Sequence, residues 1–284
     1  MTWTGAQLYK SIDSGSNYAP LLSSTNAATI GTAAGVLGDF ADGNVFDYDN
    51  SVSIILRSGG PLVSYTELQV LNGEGLCVLG TIDKWEVLQF KTATLTAPNT
   101  YTLRGLLRGR RGTEWAMGLH AAGDTFVLAS LVALKRNNPG TSEIGLSRQY
   151  KAVSSGAALS DVLAQSFTNS AVSLECYSPV HLSGVRDGSN NLSISWIRRT
   201  RLGGEWRDYV DVLNGEPTLL FDVEIWNSSY TTLLRTFSNL TGVTAAYTAV
   251  EQTTDGGTPG DPVYVRVYQL SATVGRGYKL QGTI

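Results

Sequence analysis

The side chains most able to do chemistry are concentrated in residues 101–115, which we call the arginine string. The string contains four arginines and one nearby acid: Arg104, Arg108, Arg110, Arg111 and Glu114. A guanidinium group carries its donors in a planar fork, and it needs carboxylates, carbonyl groups or phosphates to satisfy them. The string therefore predicts either a clasp that ties parts of the structure together or a surface that contacts a ligand.

The clasp is the favoured interpretation of the arginine string. Phosphate binding by a P-loop needs a lysine followed by serine or threonine after the glycines, and the string has no such pair. Substrate recognition has no supporting pattern. The glycines permit tight turns after a strand that ends near Leu107. We therefore predict that all four arginines stabilise the packing of loops or subunits in the first domain.

A second basic cluster consists of Arg198, Arg199 and Arg201. On a continuing strand, Arg199 and Arg201 point to one face and Arg198 points to the other. Three acids follow that could neutralise the cluster: Asp208, Asp211 and Glu216. The cluster is either a charged outer sheet face or a contact with a neighbouring domain or subunit, and the sequence leaves both interpretations open.

Signals for catalysis are weak. Neither His120 nor His181 accompanies a Gly-x-Ser-x-Gly or cysteine motif, so both histidines are predicted to be structural. A glycosidase needs two paired carboxylates, and no spacing pairs any two of the candidate glutamates. These candidates are Glu74, Glu86, Glu114, Glu205, Glu216 and Glu224. Glu86 and Glu114 fit equally well as ion-pair partners of the arginine string, so we expect no enzymatic activity.

Metal and cofactor sites are not predicted. Residues 47–51 place oxygen-bearing side chains at alternate positions, but they lack the glycine and the distal glutamate of a calcium loop. Residues 255–261 form a second polar turn, and both stretches are interpreted as plain turns. Cys77 and Cys176 have no metal-ligand spacing. Two buried free thiols are favoured, and a disulfide remains the open alternative.

The composition restricts the class of protein. The chain has 284 residues, which is enough for two ordinary domains, and 42% of them are hydrophobic. Its net charge is −3, so a nucleic-acid-binding protein with a basic face is not expected. The first residues show no signal peptide, and no apolar run reaches the length of about 20 residues that spans a bilayer.

Short strands with glycine and proline between them predict a mainly all-β chain. The first domain, residues 1–176, is expected to be a β-barrel or sandwich-like domain with one or two short helices. One helix is predicted between Thr66, its cap, and Gly73, and a second helical turn is predicted after Thr113 as N-cap. Pro179 marks a linker into the second domain, residues 177–284.

The second domain has the clearest strand pattern. Apolar residues alternate strictly in residues 192–196, 221–226 and 263–270, which predicts three half-buried strands. Their order, and the tryptophan at the end of the first of them, resemble a fibronectin type III domain over residues 180–284. The sequence therefore predicts a fibronectin type III-like β-sandwich.

The arginine string also carries a wider resemblance. Together with residues 85–90 and 120–128, it resembles the C-terminal region of the tail-tip or baseplate hub (host-specificity) proteins of long-tailed phages and gene transfer agents. Further similar stretches extend the resemblance over most of the chain: residues 8–15, 193–201 and 267–277. The most specific part is the run Arg-Gly-Arg-Arg-Gly-Thr-Glu that begins at Arg108.

The resemblance implies a structural component of a phage tail tip that acts in tail assembly and in host attachment or penetration. It also implies a homotrimer around the tail axis, with hub proteins of the same virion as partners and a host-cell receptor as a further partner. Family members are often longer, with hub and enzymatic domains upstream, so no hydrolase activity is carried over. The expected location is the virion, after synthesis in the host cytoplasm without a signal peptide.

The alternative function is a module that binds or cleaves cell-surface carbohydrate. Trp206 and Trp226 could stack on sugar rings if their faces are exposed, and they could equally belong to the core. The sequence does not decide between these two positions.

Overall fold

The computed structural model describes residues 3–40, 45–130, 133–204 and 209–284. The chain forms two compact units, Met1–Ser170 and Ala171–Ile284. Residues 171–176, which the sequence assigned to the first domain, are part of the second unit, where the amide of Tyr278 donates to the carbonyl of Cys176 at 3.1 Å. Strands dominate both units and the helices are short, so the predicted all-β class is confirmed.

Within the described residues, the first unit contains eleven strands. They are β1 (Ala6–Ser11), β2 (Ala19–Ser24), β3 (Ile30–Ala33), β4 (Phe46–Asp47), β5 (Val52–Ser58), β6 (Leu76–Gly80), β7 (Glu86–Ala97), β8 (Thr100–Arg110), β9 (Thr125–Leu128), β10 (Ser147–Ser154) and β11 (Gln165–Thr168). Strands β11, β10, β1 and β2 form a separate four-stranded sheet in that order.

The remaining strands build a closed barrel. The order β8-β5-β3-β9-β6-β7 closes on itself because β7 also pairs with β8, and β4 extends the ring beside the second half of β8. Closure leaves no free edge along these six strands. Large apolar side chains such as Leu103, Phe90 and Phe126 are completely buried inside, so the barrel has a packed core rather than a channel.

Two short helical segments accompany the barrel. Helix α1 (Glu67–Leu71) begins after Thr66, whose hydroxyl accepts from the amide of Gln69 in a capping box, and this confirms the predicted cap. A 3-10 helix, Glu114–Leu119, follows the arginine string. Thr113 occupies the predicted N-cap position, but its side chain makes no capping hydrogen bond: its hydroxyl donates to the carbonyl of Arg110 at 2.8 Å and accepts from the amide of Val87 at 2.9 Å.

The second unit is a two-sheet sandwich. Its strands are β12 (Val180–Arg186), β13 (Leu192–Ile197), β14 (Phe221–Trp226), β15 (Leu233–Leu240), β16 (Thr244–Tyr247), β17 (Tyr264–Ser271) and β18 (Gly275–Thr283). One sheet has the order β12-β13-β16 and the other has the order β15-β14-β17-β18. This is the three-plus-four strand arrangement of a fibronectin type III domain, as the alternating pattern predicts.

The sandwich core consists of the alternating residues that the sequence indicated. Trp196 of β13 packs edge-on against Phe221 of β14, with ring centroids 5.3 Å apart. Val265 and Val267 of β17 are completely buried beside them. A second short helix, α2 (Ala249–Thr254), begins at a capping box between Thr248 and Glu251. No helix among the described residues has the length and apolarity needed to cross a membrane.

Candidate functional site

Arg108 is the centre of the arginine string in the folded chain. It lies on β8, its side chain is 1% exposed, and all five of its N–H donors have acceptors. Nε and Nη2 donate to the two carboxylate oxygens of Glu86 at 2.8 and 2.9 Å. Nη1 donates to the carbonyl of Gly38 at 2.9 Å and to Asp47 at 3.2 Å, and Nη2 also donates to the carbonyl of Met117 at 3.3 Å. Arg108 therefore behaves as an internal clasp.

The carboxylates that face Arg108 are equally well satisfied. Glu86 accepts four hydrogen bonds: two from Arg108, one from the amide of Gly109 at 2.8 Å, and one from His120 at 2.6 Å. Asp47 accepts from the amides of residues 49 and 50 and from the side chain of Asn50, in addition to Arg108. A buried polar group with every partner in place avoids the desolvation penalty of an unmade hydrogen bond.

His120 completes the cluster. Its Nε2 lies 2.6 Å from Glu86 and its Nδ1 lies 3.2 Å from Asp124, whose carboxylate also accepts from the amide of Ala121. We call the five side chains the buried ionic network: Asp47, Glu86, Arg108, His120 and Asp124. Each of the five residues is less than 9% exposed. The network is therefore shielded from solvent and offers no open face to a ligand.

The network fixes segments that are distant in the sequence. Arg108 joins the loop at Gly38 and the 3-10 helix at Met117 to strands β4 and β7. Burial alone would raise the pKa of Glu86, but the hydrogen bonds from His120 and Arg108 and the charge of Arg108 hold that pKa below its ordinary value. The stabilisation from Glu86 is therefore present near neutral pH and is lost as the pH falls through the lowered folded-state value.

The other arginines of the string have different positions. The Nε of Arg110 donates to the side-chain oxygen of Gln89 at 3.1 Å, and Gln89 in turn donates to the carbonyls of Val70 and Glu74 at the end of α1. Burial lowers the pKa of Arg110, and Glu114, which is half-buried, acts in the opposite direction. Arg110 therefore helps to hold α1 on β7.

Arg104 and Arg111 are exposed, in contrast to Arg108. Arg111 occupies the left-handed region with φ +60°, within the turn that ends β8. Of the four predicted packing residues, the structure thus buries Arg108, half-buries Arg110 and leaves the other two exposed.

Gly109 shows why the string needs glycine next to the clasp. Its φ is +58°, and a Cβ built there would lie 2.8 Å from the Cα of Glu114. We expect Gly109→Ala to destabilise the chain by about 1–3 kcal/mol, because an L side chain is strained there. The measurement is the free energy of unfolding in urea. Gly35→Ala is the matched control, since a Cβ at Gly35 meets nothing within 4 Å, and equal stability of the two variants would contradict this explanation.

The second basic cluster lies beyond the end of a strand. Strand β13 ends at Ile197, so the prediction that the three arginines alternate on a strand is wrong. Arg198 donates to Asp211 at 2.8 Å, Arg199 donates to the carbonyl of Ser178 at 2.7 Å, and Arg201 donates to Glu216 at 2.6 Å. These contacts lie within the second unit and hold the long segment between β13 and β14. The three remaining candidates in this segment fall outside the described residues: Glu205, Trp206 and Asp208.

The remaining candidate sites have structural explanations. The carboxylates of the two candidate cation sites bind protein groups instead. Asp47 accepts hydrogen bonds from protein donors, and Asp255 accepts from Arg235 through both oxygens at 2.7 and 3.0 Å. Both cysteines are buried free thiols. The guanidinium of Arg266 stacks over the ring of Trp226 at 4.2 Å from its centroid, so this face of the tryptophan is covered. No cluster of three or more metal-ligating side chains occurs in the described part of the chain.

Sequence reasoning missed two members of the network. From the sequence, residues 47–51 are interpreted as a plain turn, and Asp124 has no predicted role. Gln89 also has no predicted role, although it connects Arg110 to α1. A buried strand interrupted by a charged residue is the one local signal that would have indicated an internal ion pair.

Comparison with known proteins gives one family match. The family model "Rcc01698-like, C-terminal" matches residues 28–127, which is 100 of the 284 residues. This range begins just before β3 and ends in β9, so the similarity covers the closed barrel and all five residues of the buried ionic network. No match was found among curated proteins.

Two solved structures are also similar to the chain. One is the rat CD45 extracellular region, domains d3–d4, with 12% identity, a TM-score of 0.29, and coverage of 55% of this chain and 71% of the other. The second is a two-domain fibronectin type III segment from chicken tenascin, with 12% identity and a TM-score of 0.26. That match covers 88% of this chain and 98% of the other.

Proposed function

We propose that this chain is a structural component of a phage tail tip or baseplate that acts in tail assembly and in host-cell attachment or penetration, without catalysis. The observation that carries the proposal is the family match over residues 28–127. The family name is of the type associated with gene transfer agents, and it fits the tail-tip resemblance loosely. The matched range includes the arginine string, which is the most specific part of that resemblance.

The geometry of the barrel supports a mechanical role. The side chains that could have formed a reactive centre, His120, Glu86 and Asp124, are buried and engaged with one another or with Arg108. A general acid or base must reach its substrate, and a saturated internal network does not provide that access. Such a network makes the closed barrel rigid and keeps its loops in one arrangement. A component that transmits force requires this rigidity.

The partners in this proposal are other tail-tip or hub proteins of the same virion, two further copies of the chain, and a host-cell receptor. Nucleic acid is not a proposed partner, because the net charge of −3 provides no basic excess. The proposed location is the tail tip of the virion. A homotrimer is the proposed assembly, since the tail axis favours closed rotational symmetry.

Immunogold electron microscopy and cryo-EM of particles from a strain that encodes the chain test this function. We expect label only at the tail end, and density for three copies of the barrel around the tail axis. Particles from a strain lacking the gene are the control for antibody specificity. Label on the capsid, or purified particles without the chain, would contradict the proposal.

A further inference from the structure

His120 has a carboxylate partner at each of its two ring nitrogens, which a packing role alone would not require. Its side chain is 1% exposed, and each ring nitrogen lies within hydrogen-bond distance of a different carboxylate, Glu86 at 2.6 Å and Asp124 at 3.2 Å. A neutral imidazole donates from one nitrogen only and presents a lone pair at the other. Two ionised carboxylates can both be satisfied only by an imidazolium, which donates from both nitrogens.

We propose that His120 is held as the imidazolium ion and that the buried ionic network is a proton-dependent lock. This lock holds the 3-10 helix Glu114–Leu119 and the turn between His120 and Asp124 in place. With His120 protonated, the network has three carboxylates and two cations, a net charge of −1. Loss of the proton changes the net charge to −2 and turns a lone pair of His120 towards Asp124. Unpaired charge that is shielded from water is costly, so the lock opens when the proton leaves.

Charged groups from every element around His120 support this assignment. Asp47 of β4 and Glu86 at the start of β7 contribute negative charge, and Arg108 of β8 is saturated by those two acids and two carbonyls. Every N–H donor of Arg108 is therefore used by other acceptors, and His120 is the side chain that pairs with Asp124. Asp39 lies beside the 3-10 helix, where a Cβ on Gly118 would be 3.2 Å from its carboxylate.

The same contacts define which segments the lock holds in place. His120 directly follows the 3-10 helix Glu114–Leu119, and Asp124 directly precedes β9. The bond from His120 to Asp124 closes the turn between them, together with the bond from the amide of Ala121 to Asp124 at 3.0 Å. We expect deprotonation to loosen this turn first, while the strand pairing of the barrel persists.

The protonation state can be read directly by NMR of the two ring nitrogens in the full-length chain. The chain has only two histidines, and His181 is exposed, so His181→Gln isolates the signals of His120 without touching the network. We expect both nitrogens of His120 to carry protons at about pH 7. A neutral ring at His120, with one unprotonated nitrogen, overturns the proposal and assigns the proton to a carboxylate.

A stability measurement gives an independent readout. The stabilisation from a retained imidazolium is present at low pH and is lost as the pH rises and the proton leaves. We expect the urea midpoint of the wild type and of His181→Gln to fall on the alkaline side of neutral pH, and His120→Gln to lack this fall. The same alkaline loss in His120→Gln overturns the lock. If His120→Gln does not fold, the NMR result on His181→Gln decides alone.

Discussion

Replacing Arg108 with methionine is expected to destabilise the barrel by about 3–5 kcal/mol, because it leaves buried carboxylates without their cation. Methionine keeps the apolar stem and removes the guanidinium, so the loss reports on the ion pairs rather than on volume. Glu86 would lose two of its four hydrogen bonds, and the carbonyls of Gly38 and Met117 would lose their donor. The effect is large because Arg108, Glu86 and Asp47 are all buried.

The chain offers a matched control for this variant on the same strand. Arg104 also lies on β8 but is exposed, and a surface charge contributes about 0–1 kcal/mol. Urea unfolding of Arg108→Met and Arg104→Met, with hydrogen exchange measured in peptides from β7 and β8, gives the comparison. Equal stability of the two variants would show that Arg108 is not the clasp.

The second large effect is expected in the sandwich. Phe221→Ala should destabilise the second unit by about 3–5 kcal/mol, because it removes a buried aromatic ring and leaves a cavity. Phe221 is completely buried, and its ring packs edge-on with that of Trp196, with the two ring centroids 5.3 Å apart. The loss of an aromatic pair adds to the cost of lost burial.

Phe167→Ala serves as the control for the aromatic substitution, because Phe167 is 54% exposed on β11. The measurement is the urea midpoint of the full chain, with hydrogen exchange in peptides from β14 and β17 as a regional report. We expect faster exchange in these strands for Phe221→Ala only. Unchanged exchange in both variants would contradict the assignment of Phe221 to the core.

The sandwich could be predicted from the sequence because its signals are local. Residues 192–196 and 263–267 alternate strictly, and a period of two places one set of side chains on the buried face. The cap at Thr66 is equally local. The capping box of Thr248 and Glu251 was missed, although the spacing from threonine to glutamate is present in the sequence.

The barrel and its network depended on contacts that a single sequence does not reveal. Closure requires β9 to pair with both β3 and β6, and β5 to pair with β8, and these pairings join residues that are distant in the sequence. Alternation also fails along β8, where Gly105 and Gly109 adopt positive φ and residues 105–109 are all buried. For that reason the sequence could identify four arginines and could not separate the buried Arg108 from the exposed Arg104.

The arginine string therefore functions inside the fold through Arg108 and Arg110, and the proposed tail-tip role depends on the rigidity that they provide. Complementation of a strain that lacks the gene tests this central claim most directly. We predict that the wild type and Arg104→Met restore the titre of infectious or transferring particles, while Arg108→Met does not. A full titre from Arg108→Met, or from the strain without the gene, would contradict the account.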